Sequence, residues 1–212
     1  MIKEKLFILE NRTMQRRILH LGGSLFVGYY FLPETVLGSL HKEWILFGIL
    51  LLALSIELYR KNTDHSPKIN VLLRSYEHFR PASYFYFVIG SILLLVFFPQ
   101  YISIPCILSA AICDPLIGEM RQRNNEHFGY YIGFLICFSF FMISWQSATF
   151  LIALIASFIG ASSLVFAEYI SYDWIDDDFL MQILPASLLF LLTQILLFMS
   201  VSLPTQLIYP CW

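Results

Sequence analysis

Several stretches of this chain run for about 18 residues or more without a charged side chain, enough apolar length to cross a bilayer core. The stretch between Glu126 and Glu168 is one, and the stretch after Asp178 is another. Of 212 residues, 58% are hydrophobic and only 13% are charged, where a soluble domain carries about 25% charged residues. The sequence therefore predicts an all-α fold, a polytopic transmembrane helix bundle of about seven spans plus a cytoplasmic interfacial helix. It reads as a single integral membrane domain over residues 1–212, with no room for a soluble one. The net charge of -2 identifies no partner, because distribution matters and the sum does not. Cys106, Cys113, Cys137 and Cys211 form no Cys-x-x-Cys pair, so neither a zinc site nor a redox motif is suggested. The first apolar segment follows basic residues but has no small-x-small cleavage site, and it is expected to be retained.

Punctuation divides the chain. Residues 1–13 carry Lys3, Lys5 and Arg12 around Leu6, Phe7, Ile8 and Leu9, as in an amphipathic lead-in lying on a membrane. Spans are predicted at about 14–31, 44–59, 83–99, 101–121, 128–145, 149–170 and 179–203, with a short loop over 33–43. Between the second and third, Ser66 suits an N-cap, Pro67 suits the first helical position, and Pro81 follows Arg80. Ile69, Leu72, Leu73, Tyr76 and Phe79 recur on one face, which predicts an interfacial helix with Arg74 and Arg80 on its polar side. Gly129 and Gly133, one helical turn apart, predict close packing by a neighbour, and so does the run Gly160 to Ser163.

With seven spans and an inside N-terminus, twelve of the thirteen Lys and Arg residues fall on the inner side and only Lys42 falls outside. The N-terminus is then cytoplasmic and the C-terminus lies on the opposite side. The same topology brings Glu57, Glu77, Asp114, Glu119, Glu168 and the acids from Asp173 to Asp178 to one face. Carboxylates at membrane depth are costly and usually functional. Asp114 is the sharpest case, about two helical turns or roughly 10 Å deeper than Arg121. Helical phase puts Asp114, Gly118 and Arg121 on one stripe and turns Glu119 about 140° from Asp114. Pro115 leaves open a geometry in which Asp114 caps a fresh helix. Arg16 and Arg17 share a helix face with His20, and Glu57 and Arg60 lie one turn apart.

Acids and arginines at one membrane face suit a phosphate-bearing ligand with a divalent cation. No Gly-x-x-x-x-Gly-Lys-Ser/Thr loop, protein-kinase set, Gly-x-Ser-x-Gly elbow or His-Glu-x-x-His occurs. Physics alone reaches a membrane enzyme or transporter with an anionic-ligand and metal site.

A resemblance adds to this. Arg16-Arg17-Ile18-Leu19-His20-Leu21-Gly22-Gly23 resembles the basic-plus-His opening of the dolichol kinase, phytol kinase and CTP-dependent diacylglycerol kinase family. Glu57-x-x-Arg60 resembles its second-span signature, and Ser83-Tyr84-Phe85 the opening of its next span. Asp114-Pro115-Leu116-Ile117-Gly118-Glu119 is similar to its central Asp-x-x-x-Gly motif. Glu168 and Asp176-Asp177-Asp178-Phe179 resemble the Glu and the Asp-Asp-Asn stretch of a late span, with Asp178 in place of Asn. The usual nucleotide-binding segment after the central motif is reduced here to Arg123 through Gly129.

The resemblance implies transfer of a nucleotide's terminal phosphate, usually from CTP, to a polyisoprenoid alcohol such as dolichol, polyprenol or phytol, with Mg²⁺ or another divalent cation. The implied partners are a nucleotide and a membrane lipid alcohol, with no nucleic acid; oligomeric state is left open. The implied catalytic residues are Asp114, Asp176, Asp177 and Glu168. Metal ligands would be Asp114, Glu119, Asp176 and Asp177, and donor binding would fall to Arg16, Arg17, His20, Gly118, Arg121 and Arg123. A CDP-lipid synthase-type cytidylyltransferase fits the same logic, and a transporter fits it less well.

Overall fold

A computed structural model describes residues 17, 18, 20–36, 40–62, 80–170 and 175–209 of the chain. Of these, 79% are helical. The lead-in, Arg16, Asp173 and the expected interfacial helix up to residue 79 lie outside the described residues.

The first expected span takes an unexpected form. A short helical piece over 20–22 passes into a 3-10 helix, Gly23–Phe31, which ends at Leu32 before Pro33. Gly22, Gly23 and Gly28 weaken an α-helix here. At about 2.0 Å per residue nine residues rise about 18 Å, short of a hydrocarbon core of about 30 Å. The loop expected over 33–43 contains a small antiparallel hairpin, β1 (Thr35–Val36) with β2 (Leu40–His41).

Six α-helices follow: α1 (Glu43–Asn62), α2 (Ser83–Phe97), α3 (Gln100–Gln122), α4 (Glu126–Ser144), α5 (Phe150–Tyr169) and α6 (Asp177–Phe198). Among the described residues only α3 to α6 are long and apolar enough to cross a membrane, so the structure supports four spans there where the sequence suggested seven over the chain. The reasons are local. Helix α2 has 15 residues, about 23 Å at 1.5 Å per residue. Helix α1 has 20 residues but carries Glu57, Arg60 and Lys61 near its end as well as Glu43 at its start.

Helix α3 is the axis of the bundle: 72% of its most apolar stretch is buried, against 28–44% for α4, α5 and α6. Helices α2, α4, α5 and α6 pack against it, as does the 3-10 helix, while α1 packs on α2. Gly129 and Gly133 on α4 allow a close approach to α3, as their spacing predicted. A Cβ at Gly129 would stand 2.7 Å from Met120 Cβ, and one at Gly133 3.0 Å from Ile117 Cδ1. At Gly160 a Cβ would strike the ring of Phe141. Cys106, Cys113 and Cys137 are free thiols buried in the interior, acting as small core residues. Large apolar side chains also point outward, among them Leu25, Phe150 and Phe198. An outer surface of that kind is compatible with lipid contact.

Both prolines of α3 lie inside a continuous helix. Pro105 cannot donate to the carbonyl of Tyr101, and that carbonyl instead accepts from Ser144 Oγ on α4 at 3.0 Å. Helix α3 also runs unbroken through Pro115, so Asp114 sits within a helix and does not cap a new one.

Candidate functional site

The end of α1, the start of α2, the end of α3, the start of α4, the end of α5 and the start of α6 meet at one end of the bundle. Side-chain contacts tie them together there. The apolar faces of these helices carry the polar residues inward with them. On α6 the buried stripe Gln182, Pro185, Leu189 and Thr193 extends back by one helical turn to Asp178. On α5 the stripe through Gly160, Ser163 and Leu164 ends at Glu168.

Asp114 stands at the centre. It is 6% exposed, and its Oδ2 lies 3.5 Å from His20 Nδ1. The same nitrogen lies 3.6 Å from Asp178 Oδ1. These are ion-pair distances, longer than a good hydrogen bond. His20, Asp114 and Asp178 form one group whose ligating atoms lie within 4.8 Å of one another; Asp114, Glu168 and Asp177 form a second; Asp176, Asp177 and Asp178 form a third. Asp114 thus belongs to two groups at once.

At the start of α6, Asp176 and Asp178 are each 1% exposed, so both carboxylates are folded into the protein. Asp176 is the N-cap of α6, accepting from Asp178 N at 3.2 Å. It also accepts from Ser83 Oγ at 3.2 Å and stands 3.9 Å from Arg80 Nη2. One side chain therefore fastens the start of α6 to the start of α2.

Glu168, buried, accepts from Arg121 Nη2 at 3.0 Å. Arg121 also donates to Glu126 at 3.2 Å and to the Tyr130 hydroxyl at 3.0 Å. Glu119 goes elsewhere. Its carboxylate is held between Arg17 and Arg123, with Arg123 Nε at 2.6 Å, and it belongs to none of the three groups. The 140° phase difference from Asp114 explains this, and it separates Glu119 from the ligand set in which it was expected. A further network braces the rim. Glu57 and Arg60 pair through Arg60 Nε at 2.9 Å, Tyr84 donates to Glu57 at 2.9 Å, and Arg60 donates to the Arg80 carbonyl at 2.9 Å. Gly118, expected at the donor site, has open space where a Cβ would be.

No family model, curated protein or solved structure matches the chain.

Of the residues expected at a site, the structure brings His20, Asp114, Glu168, Asp176 and Asp177 together. It places Arg121 against Glu168, and Arg17 and Arg123 against Glu119. One member was missed, and another was expected at the site with different partners. Asp178 was noted only as a departure from Asn, although its place on the buried stripe of α6 signals an inward side chain. His20 was assigned to the arginines, and it faces Asp114 and Asp178.

Next to the cluster, a cleft of about 180 Å³ opens between the beginning of the 3-10 helix and α2. Gly22 and Phe26 form one wall, Tyr84, Phe87 and Val88 the other, and His20 lies at its polar corner.

Proposed function

We propose that this protein is a membrane phosphotransferase that moves the terminal phosphate of a nucleoside triphosphate, CTP by the family resemblance, to a polyisoprenoid alcohol. The observation that carries the reading is the double membership of Asp114. It is a buried carboxylate at the polar end of an apolar bundle, close enough to Asp177 and Glu168 on one side, and to Asp178 and His20 on the other, to share a ligand with each pair. The first set offers only hard oxygen donors, the kind that Mg²⁺ takes. Asp114, Asp177 and Glu168 are therefore the residues that would hold a divalent cation. Bound there, the cation would offset the charge of the donor phosphates, which together with positioning is most of what phosphoryl transfer needs.

The chain's own residues supply the rest. Arg17 and Arg123 stand at the rim with side chains 33% and 69% exposed, where planar guanidinium forks can meet a phosphate arriving from water. Arg121 and Arg80 hold Glu168 and Asp176 in place. The alcohol comes from the bilayer and its hydroxyl meets the cluster from the apolar side. We place this end at the cytoplasmic surface. Arg17, Arg60, Lys61, Arg80, Arg121 and Arg123 gather there, while Lys42 lies at the other end of α1. The gathering of charge at one end argues against a transporter, which needs polar groups reachable from both sides.

The test is incubation of the purified protein with γ-labelled CTP, ATP or UTP, Mg²⁺ and a panel of isoprenoid alcohols, phytol and diacylglycerol. Label in the lipid supports the kinase. Label released as pyrophosphate would make the protein a cytidylyltransferase instead. No turnover of any donor with any acceptor removes the reading.

A further inference from the structure

We infer that the cleft beside His20 is the seat of the acceptor's hydroxyl-bearing end, holding about one isoprene-sized unit of hydrocarbon while the rest of the chain stays in the bilayer. The inference rests on the phosphotransferase reading and gives the alcohol a place within it.

Size comes first. A dry cavity of about 150 Å³ lined by apolar side chains accommodates benzene. At about 180 Å³ the cleft takes a fragment of that order, and a whole long chain is far too large. Lining comes second. Gly22, Phe26, Phe87 and Val88 offer hydrocarbon or bare backbone, and Tyr84 has its hydroxyl engaged by Glu57. A polar ligand would lose its water there without recompense. Polarity enters at one corner, where the His20 ring lies edge-on to Phe87 with centroids 6.2 Å apart. The Nδ1 of that ring faces Asp114 and Asp178. An apolar pocket with one polar corner beside the carboxylates suits an amphiphile that points a hydroxyl at them, and it does not suit a nucleotide. His20 therefore moves from the donor to the acceptor side.

The cleft is also built to keep its shape. Gln182 on α6, fully buried, donates to the Phe87 carbonyl at 3.3 Å and accepts from Ser91 Oγ at 3.1 Å. A Cβ at Gly90 would come within 2.8 Å of the Gln182 amide, so α2 and α6 are closely matched behind this wall. On the opposite wall Gly23 lets the 3-10 helix rest on the Phe87 ring, whose edge a Cβ there would strike. Gly22, one residue earlier, lines the cleft, and a Cβ added to it would meet nothing within 4 Å. The Cβ of a side chain introduced at position 22 thus meets no protein at the edge of the cleft. Gly28, in the same 3-10 helix, is equally open and lies outside the cleft, which makes it the matched control.

The experiment uses a farnesol analogue with a photoactivatable diazirine on the unit next to the hydroxyl, added to the full chain in nanodiscs. Peptide mapping is expected to find the label on the 3-10 helix near Phe26 and on α2 near Phe87 and Val88. Unlabelled farnesol should compete at least tenfold better than the corresponding hydrocarbon without a hydroxyl, or than a phospholipid. Gly22→Trp should abolish labelling and raise the KM for the alcohol at least tenfold, leaving the KM for nucleotide unchanged, while Gly28→Trp should alter neither. Labelling elsewhere, equal competition by the hydrocarbon, or normal labelling and kinetics in Gly22→Trp overturns the inference. The wild-type map stands whether or not the variants fold, and Val88→Trp fills the cleft from the other wall. Cleft labelling without phosphate transfer from any nucleotide would support the subsite and defeat the kinase reading. Transfer with labelling outside the cleft would do the reverse.

Discussion

His20 Nδ1 lies 3.5 Å from Asp114 Oδ2, joining the first described segment of the chain to the middle of the central helix. Around this contact the remaining acids of the site are arranged, so Asp114 is the position at which function and stability should separate most cleanly. Asp114→Asn keeps the shape and relieves repulsion among carboxylates whose atoms lie within 4.8 Å. Phosphate transfer should fall by about 10²-fold or more, the scale of losing one charge-stabilising group. Thermal stability in detergent should be unchanged or higher. Normal turnover in this variant would remove Asp114 from the mechanism.

Dependence on divalent cation should follow the grouping of the acids. Chelation with EDTA should stop turnover, and added Mg²⁺ should restore it. Asp177→Asn should shift the Mg²⁺ concentration for half-maximal activity upward by about tenfold, a loss of about 1.4 kcal/mol. Glu119→Gln should leave that concentration where it was, because Glu119 is held by Arg17 and Arg123. A Mg²⁺ titration of the two variants side by side reads this directly.

The Glu57–Arg60 pair should be structural. Both side chains are about 5% exposed or less, and removing one partner of a buried pair typically costs about 3–5 kcal/mol. Arg60→Ala should therefore lower the unfolding midpoint strongly. Tyr84→Phe removes one hydrogen bond to Glu57 and should cost about 1 kcal/mol. If the two variants are equally stable by thermal unfolding, the pair is not what braces this rim.

Close packing of α3 and α4 gives a prediction away from the site. The Cβ of Gly129→Ala would stand 2.7 Å from Met120 Cβ, which cannot swing aside as a side-chain tip can. The variant should lose about 1–3 kcal/mol, with the nucleotide KM little changed. Undiminished stability would mean that the two helices part readily there.

Much of this was legible because helical phase is a local property. The ends of α2 to α5, the glycines of α4 and the divergence of Asp114 from Glu119 all follow from 3.6-residue periodicity and from proline and glycine punctuation. What was not legible depended on distance in space. Nothing near His20 in the sequence says that it will face Asp114 and Asp178 and not the arginines beside it. The 3-10 helix was read as a span because apolar residues mask three weakening glycines. Helix α1 was counted as one because its length suffices, although Glu57, Arg60 and Lys61 crowd its end.

Asp176 has a consequence for anyone who would probe this site. It caps α6, accepts from Ser83 and faces Arg80, so carpentry and electrostatics share a single side chain. Amide and methyl replacements pull the two apart. Asp176→Asn keeps an oxygen for the cap, where Asn serves about as well as Asp, whereas Asp176→Ala forfeits about 1 kcal/mol of capping as well as the charge. Both variants lack the charge, so subtracting one from the other yields the worth of the cap, while Asp176→Asn set against the unaltered protein yields the worth of a single negative charge, measured in place with the architecture left standing.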